Sequence, residues 1–342
     1  MNSKTRKNIF NGLFLVALIV FTVWAVFKDQ DLGKIITLVS DIHPIFLIIG
    51  FTLVIVYVCS ESVIIKYLLH TVHIKAPMHN CIRYSFVGFF YSCITPSATG
   101  GQPMQIYYMK KQKIDIPTAT IILMLVTIEY KFVLVFVGLA AVIFGQSLLQ
   151  CLSPDVLFFL YLGIGLNVFC VVFMSLLVFK PGSAKFLIIK GFNLLKKLHL
   201  MKEKNNRAQR LEDSMEIYKE ASVYLKANKK AILITTLISF VQRFFLFFIT
   251  YVVYRSFGLH EVNAFTITIL QSVISISVDM LPLPGGMGIS EKLFMEMFLP
   301  IFGSTLLLPG MILSRGLGYY TELMISAIFT VVASFVIGRR SE

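Results

Sequence analysis

Charged residues are scarce in this sequence of 342 residues: Asp, Glu, Lys and Arg together make up 14% of it, while 57% of its residues are hydrophobic. Soluble domains carry about 25% charged residues. With so few, the chain has too little polar surface to cover a water-exposed globule. The composition therefore excludes an ordinary soluble domain and predicts an integral membrane protein.

Acidic residues are rarer than basic ones, 18 against 31, which leaves a formal net charge of +13. Such an excess can indicate a nucleic-acid partner. Here, however, the basic residues fall between long apolar runs and concentrate in the loops. They are better explained as topology signals and as contacts with anionic lipid.

Only five cysteines are present, and no two of them have the C-x-x-C spacing of a zinc site or a redox motif. Three histidines, His70, His73 and His79, lie near Cys81, but they lack a helical i, i+4 pair and a carboxylate partner. We therefore expect no metal site and no disulfide framework. The sequence also lacks a Walker motif, so we expect no nucleotide and no other cofactor.

Six apolar runs are long enough to cross a membrane, which takes about 20 helical residues. They are residues 9–27, 44–69, 116–144, 156–179, 231–254 and 306–337. Basic residues precede the first run, and no small-residue cleavage pattern follows it, which predicts an uncleaved anchor. The loop 145–155 has no Lys or Arg, whereas residues 180–230 hold thirteen of the 31 basic residues. This distribution places both termini in the cytoplasm.

The basic cytoplasmic segment 180–230 has two parts. Residues 186–197 have the pattern of a basic amphipathic helix lying on the inner leaflet. In the second part, Leu211, Met215, Tyr218 and Leu225 recur at near-helical spacing, which predicts a helix packed on the membrane domain.

A first Pro- and Gly-broken segment, residues 84–109, lies between basic residues on both sides. Its limbs are about a dozen residues or fewer, too short to span, so we predict a re-entrant hairpin that enters from the cytoplasm. Its turn contains Thr95, Pro96, Ser97, Gly100, Gly101, Gln102 and Pro103.

A second broken segment, residues 264–302, begins and ends on the predicted outer side, and its limbs are expected to be longer than those of the first. It is either a hairpin or a pair of short tilted spans, which would give eight crossings instead of six. Its turn contains Pro282, Pro284, Gly285, Gly286 and Gly288, none of which suits a continuous helix.

The order span, hairpin, span occurs twice, in residues 44–144 and again in 231–337. The predicted orientations are opposite, so we interpret the chain as one all-α membrane domain, 1–342, built as an inverted repeat. Transporters of this kind place substrate near the midplane, between discontinuous helices. The alternative is a scaffold membrane protein interrupted by two turn-rich loops.

Ionisable residues within spans are costly, and they mark a substrate pathway or an ion pair. The candidates are Glu129, Lys131, Arg243, Asp279, Glu291, Arg315 and Glu322, with Lys292 beside the second motif. Glu129 and Lys131 are two residues apart and cannot pair with each other on a helix. The set forms either interhelical salt bridges or a polar cavity in which Lys and Arg meet a phosphate while carboxylates meet an amine or hydroxyl.

These motifs resemble the flippase-like membrane region of the lysylphosphatidylglycerol synthase family, the bacterial multiple-peptide-resistance proteins and their stand-alone relatives. The resemblance covers essentially the whole chain. It rests on the order and spacing of Thr95-Pro96-Ser97, Gly100-Gly101-Gln102-Pro103, Glu129, and Leu281-Pro282 through Pro284-Gly285-Gly286-Met287-Gly288 to Glu291.

The resemblance implies that the protein moves a lipid, such as lysyl-phosphatidylglycerol, from the inner to the outer leaflet of the bacterial cytoplasmic membrane, which confers resistance to cationic peptides. Full-length members add a soluble domain that transfers lysine from lysyl-tRNA to phosphatidylglycerol. Because the sequence ends at Glu342, soon after the last span, we expect the membrane region without that domain.

Two other functions stay open. The first is a membrane phosphatidylglycerol lysyltransferase, as the family label suggests, which would need lysyl-tRNA. The second is a membrane partner of a separate synthase or glycosyltransferase, recognised through the basic loop. The sequence does not determine whether the protein forms a homo-oligomer.

Overall fold

The computed structural model describes residues 42–144, 152–186, 190 and 207–340, and in these ranges the protein is helical and has no strand. The all-α prediction is therefore confirmed. The predicted anchor 9–27 and most of the amphipathic segment 186–197 lie outside the described residues. The described ranges contain ten α-helices: α1 (Pro44–Thr71), α2 (Met78–Ile94), α3 (Gly101–Lys111), α4 (Ile116–Phe144), α5 (Pro154–Phe179), α6 (Arg207–Ala227), α7 (Lys229–Ser256), α8 (Ala264–Val278), α9 (Ile289–Arg315) and α10 (Thr321–Arg340).

Among the described residues, five helical stretches are long and apolar enough to span a membrane: α1, α4, α5, α7 and the stretch Pro284–Val332. The first four begin and end within two residues of the predicted bounds. Helix α5 shows why the starts are predictable, because Pro154 occupies its first turn and the Ser153 hydroxyl accepts the N–H of Val156. Its side chains Phe158 and Phe169 are more than 60% exposed, as expected of a face that contacts lipid.

The first predicted hairpin consists of α2, a tight turn at Pro96–Ala98 and α3. The prediction that each limb has a dozen residues or fewer is wrong for α2, which has 17. Arg83, the basic residue that precedes the predicted segment 84–109, does not precede the helix. It lies within α2, where it donates to Asn80, and the Asn80 amide in turn donates to Gln112 after α3. These polar contacts allow the helix to begin earlier, after Pro77.

The second hairpin consists of α8, a tight turn at Pro284–Gly286 and the first half of α9. Gly303, with φ 67° and ψ 167°, divides α9, so the second limb is 289–302. Both limbs are longer than α3, which has 11 residues, but shorter than α2. The prediction that they would be longer than those of the first hairpin is therefore wrong for α2. After Gly303, the chain continues through a π-helical turn, Gly316–Tyr320, into α10.

The two hairpin turns share an unusual backbone. In each turn a proline is followed by two residues in the left-handed region: Ser97 and Ala98 (φ 50° and 55°) in the first, Gly285 and Gly286 (φ 57° and 65°) in the second. The order long helix, limb, turn, limb, long helix therefore occurs twice with matching turns. The opposite orientation of the two halves in the membrane stays a prediction.

Helix α6 lies in the basic segment, and its apolar side packs on α4 and α5 as the spacing predicts. Met215, Tyr218 and Leu225 are buried in the cluster that these helices share. The Ser222 hydroxyl donates to the carbonyl of Val178 at 2.5 Å. The segment is thus fastened to the end of α5.

Candidate functional site

The tips of the two hairpins touch each other. The Ser97 hydroxyl lies 3.1 Å from the carbonyl oxygen of Leu281 and 3.4 Å from that of Met280, so it can donate to either. Both motifs that were predicted to be functional are therefore in contact. Non-helical backbone is tolerated at membrane depth only where protein encloses it or where it lines a cavity.

Residues of the first motif hold its hairpin closed and fasten it to α4. Thr95 accepts the N–H of Gly100 at 2.8 Å, and Gln102 donates to the hydroxyl of Thr127. At Gly101 a side chain would not fit, because a Cβ atom would lie 2.1 Å from the Ser92 hydroxyl. The residue types of the first motif are therefore required, before any functional role, for the close packing of α2 against α3.

In the second motif, Glu291 and Arg315 form a local ion pair. Glu291 Oε1 accepts from Arg315 Nε at 2.9 Å, and Oε2 accepts from the backbone N–H of Gly288 at 2.6 Å. A carboxylate in the first turn of a helix is favoured by the helix dipole. Arg315 also donates to the carbonyl of Gly285 at 3.0 Å. The pair thus fastens the second tip to the last span.

Lys131 and Asp279 form the second interior ion pair, with Nζ and Oδ2 2.7 Å apart. Asp279 also accepts a hydrogen bond from Tyr130, and Lys131 donates to the wholly buried Asn167 at 3.3 Å. The carboxylate lies at the C-terminal end of α8, where the helix dipole disfavours a negative charge. The ammonium group of Lys131 neutralises the negative charge of Asp279 at this helix end.

Arg243 differs from the other two interior cations. Its guanidinium lies over the rings of Tyr130 and Tyr57, with centroid distances of 3.9 and 5.3 Å, and Nε is buried without a hydrogen-bond partner. Among the described residues no carboxylate forms an ion pair with it, although Asp279 and Glu322 interact with it electrostatically. Arginine can stack on rings and still present donors for a phosphate.

A family model of the lysylphosphatidylglycerol synthase membrane region matches residues 9–326 of this chain. The match covers more than nine-tenths of the sequence. The chain belongs to this family. A comparison with curated proteins finds no match.

Within this member of the lysylphosphatidylglycerol synthase membrane family, Glu129 is set apart from the other candidates. It is 2% exposed, and its Oε1 accepts from the Thr235 hydroxyl at 2.5 Å, while Oε2 has no partner among the described residues. A buried carboxylate with a free oxygen is costly unless a proton or a cation neutralises it. As predicted, Glu129 and Lys131 have different partners.

Glu322 lies seven residues after Arg315, in the same predicted span 306–337, but the two side chains form no ion pair among the described residues. The π-helical turn Gly316–Tyr320 lies between them and changes the helical register. Glu322 is buried, and its one hydrogen bond from the described residues is a weak one from the Cys93 thiol, at 3.5 Å. Lys292 also lies outside the network, because it is exposed and pairs with Asp155 at 2.7 Å.

One interior carboxylate, Glu61, was missed. It lies in α1, accepts from Gln105 at 2.7 Å and interacts electrostatically with Arg243. The signal was present, since Glu61 is an acidic residue within the apolar run 44–69. In this member of the family, Arg243 is therefore an interior cation near Glu61 and Glu322 without direct contact to either.

Proposed function

We propose that this protein moves a phospholipid, such as lysyl-phosphatidylglycerol, from the inner to the outer leaflet, thereby reducing susceptibility to cationic peptides. The proposal combines membership of the family with a polar interior beneath two helical hairpins. The head group would pass between the hairpins and the long helices while the acyl chains stay in lipid.

The observation that carries the proposal is the unpaired guanidinium of Arg243. Lys131 and Arg315, which were also predicted to hold phosphate, each have a carboxylate partner already. Among the described residues, the guanidinium of Arg243 contacts the rings of Tyr57 and Tyr130 and no carboxylate, and the side chain is partly exposed. Of the described interior cations it is therefore the one most available to a phosphate. Phosphate and guanidinium form short, charge-assisted hydrogen bonds.

The ammonium groups of an aminoacylated lipid need carboxylates, and the interior contains several. From the described residues, Glu322 accepts a hydrogen bond from the Cys93 thiol alone, and Oε2 of Glu129 accepts none. Asp279 is less available, because Lys131 and Tyr130 both donate to it. We therefore place the ammonium groups near Glu322 and leave Asp279 and Glu291 to hold the two tips in position.

Movement of a lipid with net charge +1 outward costs about 2.3 kcal/mol per 100 mV of inside-negative potential. Net transport thus needs a coupled ion, a concentration gradient or removal of the product. Among the described residues, the interior carboxylates Glu61, Glu129 and Glu322 have no ion-pair partner and could carry a coupled proton.

The test compares lipid translocation by the wild type, Arg243→Gln and Arg243→Lys in liposomes. Loss of a charge-assisted contact of about 1.5–3 kcal/mol predicts a rate at least tenfold lower for Arg243→Gln. Arg243→Lys should retain part of the rate. Arg255→Gln is the matched control, because Arg255 lies at the end of the same helix and donates to Tyr251 instead.

Unchanged translocation in a folded Arg243→Gln protein would contradict the assigned role of Arg243. If no lipid moves, and new aminoacyl lipid forms only after lysyl-tRNA is added, the lysyltransferase function replaces this proposal. Dependence on an added synthase or glycosyltransferase would favour the role of membrane partner.

A further inference from the structure

Glu129 lies at the contact between α4 and α7, apart from the two interior ion pairs. Its side chain is 2% exposed, and its Oε1 lies 2.5 Å from the hydroxyl oxygen of Thr235. Its Oε2 is buried and has no hydrogen-bond partner among the described residues. An ionised carboxylate in such a setting is very costly unless a cation pairs with it. The group therefore needs either a cation or a proton.

No cation among the described residues meets Glu129. On α4 itself, Lys131 lies 2.7 Å from Asp279, and on α7 the guanidinium of Arg243 lies over tyrosine rings. Other ionisable side chains on the helices packed around α4 form no hydrogen bond or ion pair with Glu129 in the described structure: Glu61 of α1, Tyr108 of α3, Cys170 of α5, Tyr218 of α6 and Asp279 at the end of α8. A proton on the carboxyl group removes the uncompensated charge.

The hydrogen bonds of Thr235 accommodate such a proton. A hydroxyl has a single proton to donate, and the carbonyl oxygen of Ala231 lies 2.9 Å from the Thr235 hydroxyl oxygen. A protonated Glu129 donates from Oε1 to Thr235, which in turn donates to Ala231, so each contact holds its own proton. If Glu129 were ionised, the one hydroxyl proton would have to serve both acceptors.

A row of polar side chains on one face of α7 leads from this site to Arg243. Thr235, Ser239 and Arg243 follow one another at intervals of four residues, which places them one above the other on the helix. Ser239 is 1% exposed, and its hydroxyl has no partner among the described residues. Arg243 is partly exposed. An unused hydroxyl thus lies between the buried carboxyl group and the more accessible guanidinium, where a proton relay needs one.

The same two helices connect Glu129 to the proposed phosphate site. Tyr130, the next residue of α4, lies under the guanidinium of Arg243 at 3.9 Å. Helices α4 and α7 therefore meet at two points, Glu129 with Thr235 and Tyr130 with Arg243. Loss of the proton leaves a buried charge at the first point, which favours the entry of water there. A lipid phosphate bound to Arg243 acts at the second point of the same contact.

We propose that Glu129 is a proton-binding site and that the protein exchanges one lipid for one proton bound there. The inference rests on the proposed function and names its coupled ion. On release, the O–H bond of the carboxyl group breaks, its electron pair stays on the carboxylate, and the proton passes to water. A lipid with net charge +1 that moves outward while a proton moves inward transfers no net charge, so the membrane potential does not oppose the exchange.

The test measures how a pH gradient changes the distribution of tail-labelled lysyl-phosphatidylglycerol in liposomes, with potassium and valinomycin holding the membrane potential at zero. Dithionite destroys the label in the outer leaflet, so the surviving signal reports the inner leaflet. A gradient of about one pH unit, acidic outside, should raise the outer-to-inner ratio about tenfold in the wild type, because one proton is exchanged per lipid. Protein-free liposomes, or a protonophore, should show no such rise.

Glu129→Gln keeps the shape of the side chain but has no proton to release, so it should lose the effect of the gradient. Glu296→Gln is the control, because Glu296 is exposed and accepts from Ser153, and it should respond as the wild type does. A wild type that moves lipid without responding to the pH gradient overturns the proposal. So does a folded Glu129→Gln that responds fully, or accumulation driven by a sodium gradient instead.

Infrared spectroscopy tests the proton site without transport. At neutral pH, the difference spectrum between the wild type and Glu129→Gln should contain the C=O band of a protonated carboxyl group. Thr235→Val should shift that band, because it removes the acceptor, and Thr235→Ser should restore it; this pair also serves if Glu129→Gln does not fold or moves no lipid. If the wild type moves no lipid, the proposed function fails, and the spectrum decides the site. A protonated band that responds to Thr235→Val supports it, and a carboxylate band overturns it.

Discussion

Replacement of Lys131 by Met should destabilise the protein strongly, because it leaves Asp279 without its cation. The side chains of Lys131 and Asp279 are only 8% and 14% exposed. Breaking a buried ion pair from one side costs about 3–5 kcal/mol. In the variant Tyr130 still donates to Asp279, which reduces the loss of stability. The position of Asp279 at the C-terminal end of α8 increases that loss, because the helix dipole disfavours a negative charge there. We expect about 3 kcal/mol.

Removal of both charges should cost less than removal of Lys131 alone. In Lys131→Met/Asp279→Asn no uncompensated carboxylate remains, so the double-mutant cycle should give a coupling energy of at least about 2 kcal/mol. The remaining cost comes from Asn167, which loses the Lys131 donor.

The buried cysteines provide the assay. Cys81 and Cys93 are free and buried, so a thiol-reactive fluorophore labels them only as the protein unfolds. Thermal scans of the four proteins in detergent should show a midpoint for Lys131→Met on the order of 5 °C below the wild type. A shift below 1 °C, or strictly additive effects in the double variant, would refute the assignment of a compensating pair.

The same scans test two predictions about backbone and packing. Gly163→Ala should destabilise the protein by about 1–3 kcal/mol, because its Cβ atom would lie 2.2 Å from the carbonyl oxygen of Ile276. The control is Gly165→Ala, whose Cβ atom would meet nothing within 4 Å and which should be neutral or stabilising. Equal midpoints for the two variants would contradict the close approach of α5 and α8. Ala98→Gly should stabilise the protein by about 1 kcal/mol, because Ala98 has φ 55° and glycine adopts that conformation without steric cost. A lower midpoint of thermal unfolding in this variant would show that the turn is not strained at Ala98.

The long spans could be predicted because their signals are local. Continuous apolar sequence, a proline in the first turn and a capping Ser153 determine where α5 lies without reference to other helices. The two turns were also predictable, since proline and glycine exclude a continuous helix at residues 96–101 and 282–288. What failed was the length of the limbs, because the start of α2 depends on contacts of Arg83 and Asn80 that only the folded hairpin provides.

The site was predictable as a set of residues but not as a set of partners. An ionisable residue in an apolar run is visible in the sequence, and the same criterion identifies Glu61, which was overlooked. The tertiary structure determines which of the interior cations has no carboxylate partner. Lys131 meets Asp279 at a sequence separation of 148, and nothing in the sequence distinguishes that pair from Arg243, which has no ion-pair partner among the described residues.

The movement of labelled lipid between the leaflets of liposomes that contain the purified protein tests the central claim most directly. The lipids are tail-labelled phosphatidylglycerol and its lysyl ester, and protein-free liposomes from the same preparation provide the baseline. Phospholipid translocation predicts that label from the inner leaflet becomes accessible to dithionite in a protein-dependent way and that Arg243→Gln reduces the rate at least tenfold. Accessibility that stays at the protein-free baseline for both lipids would contradict the account.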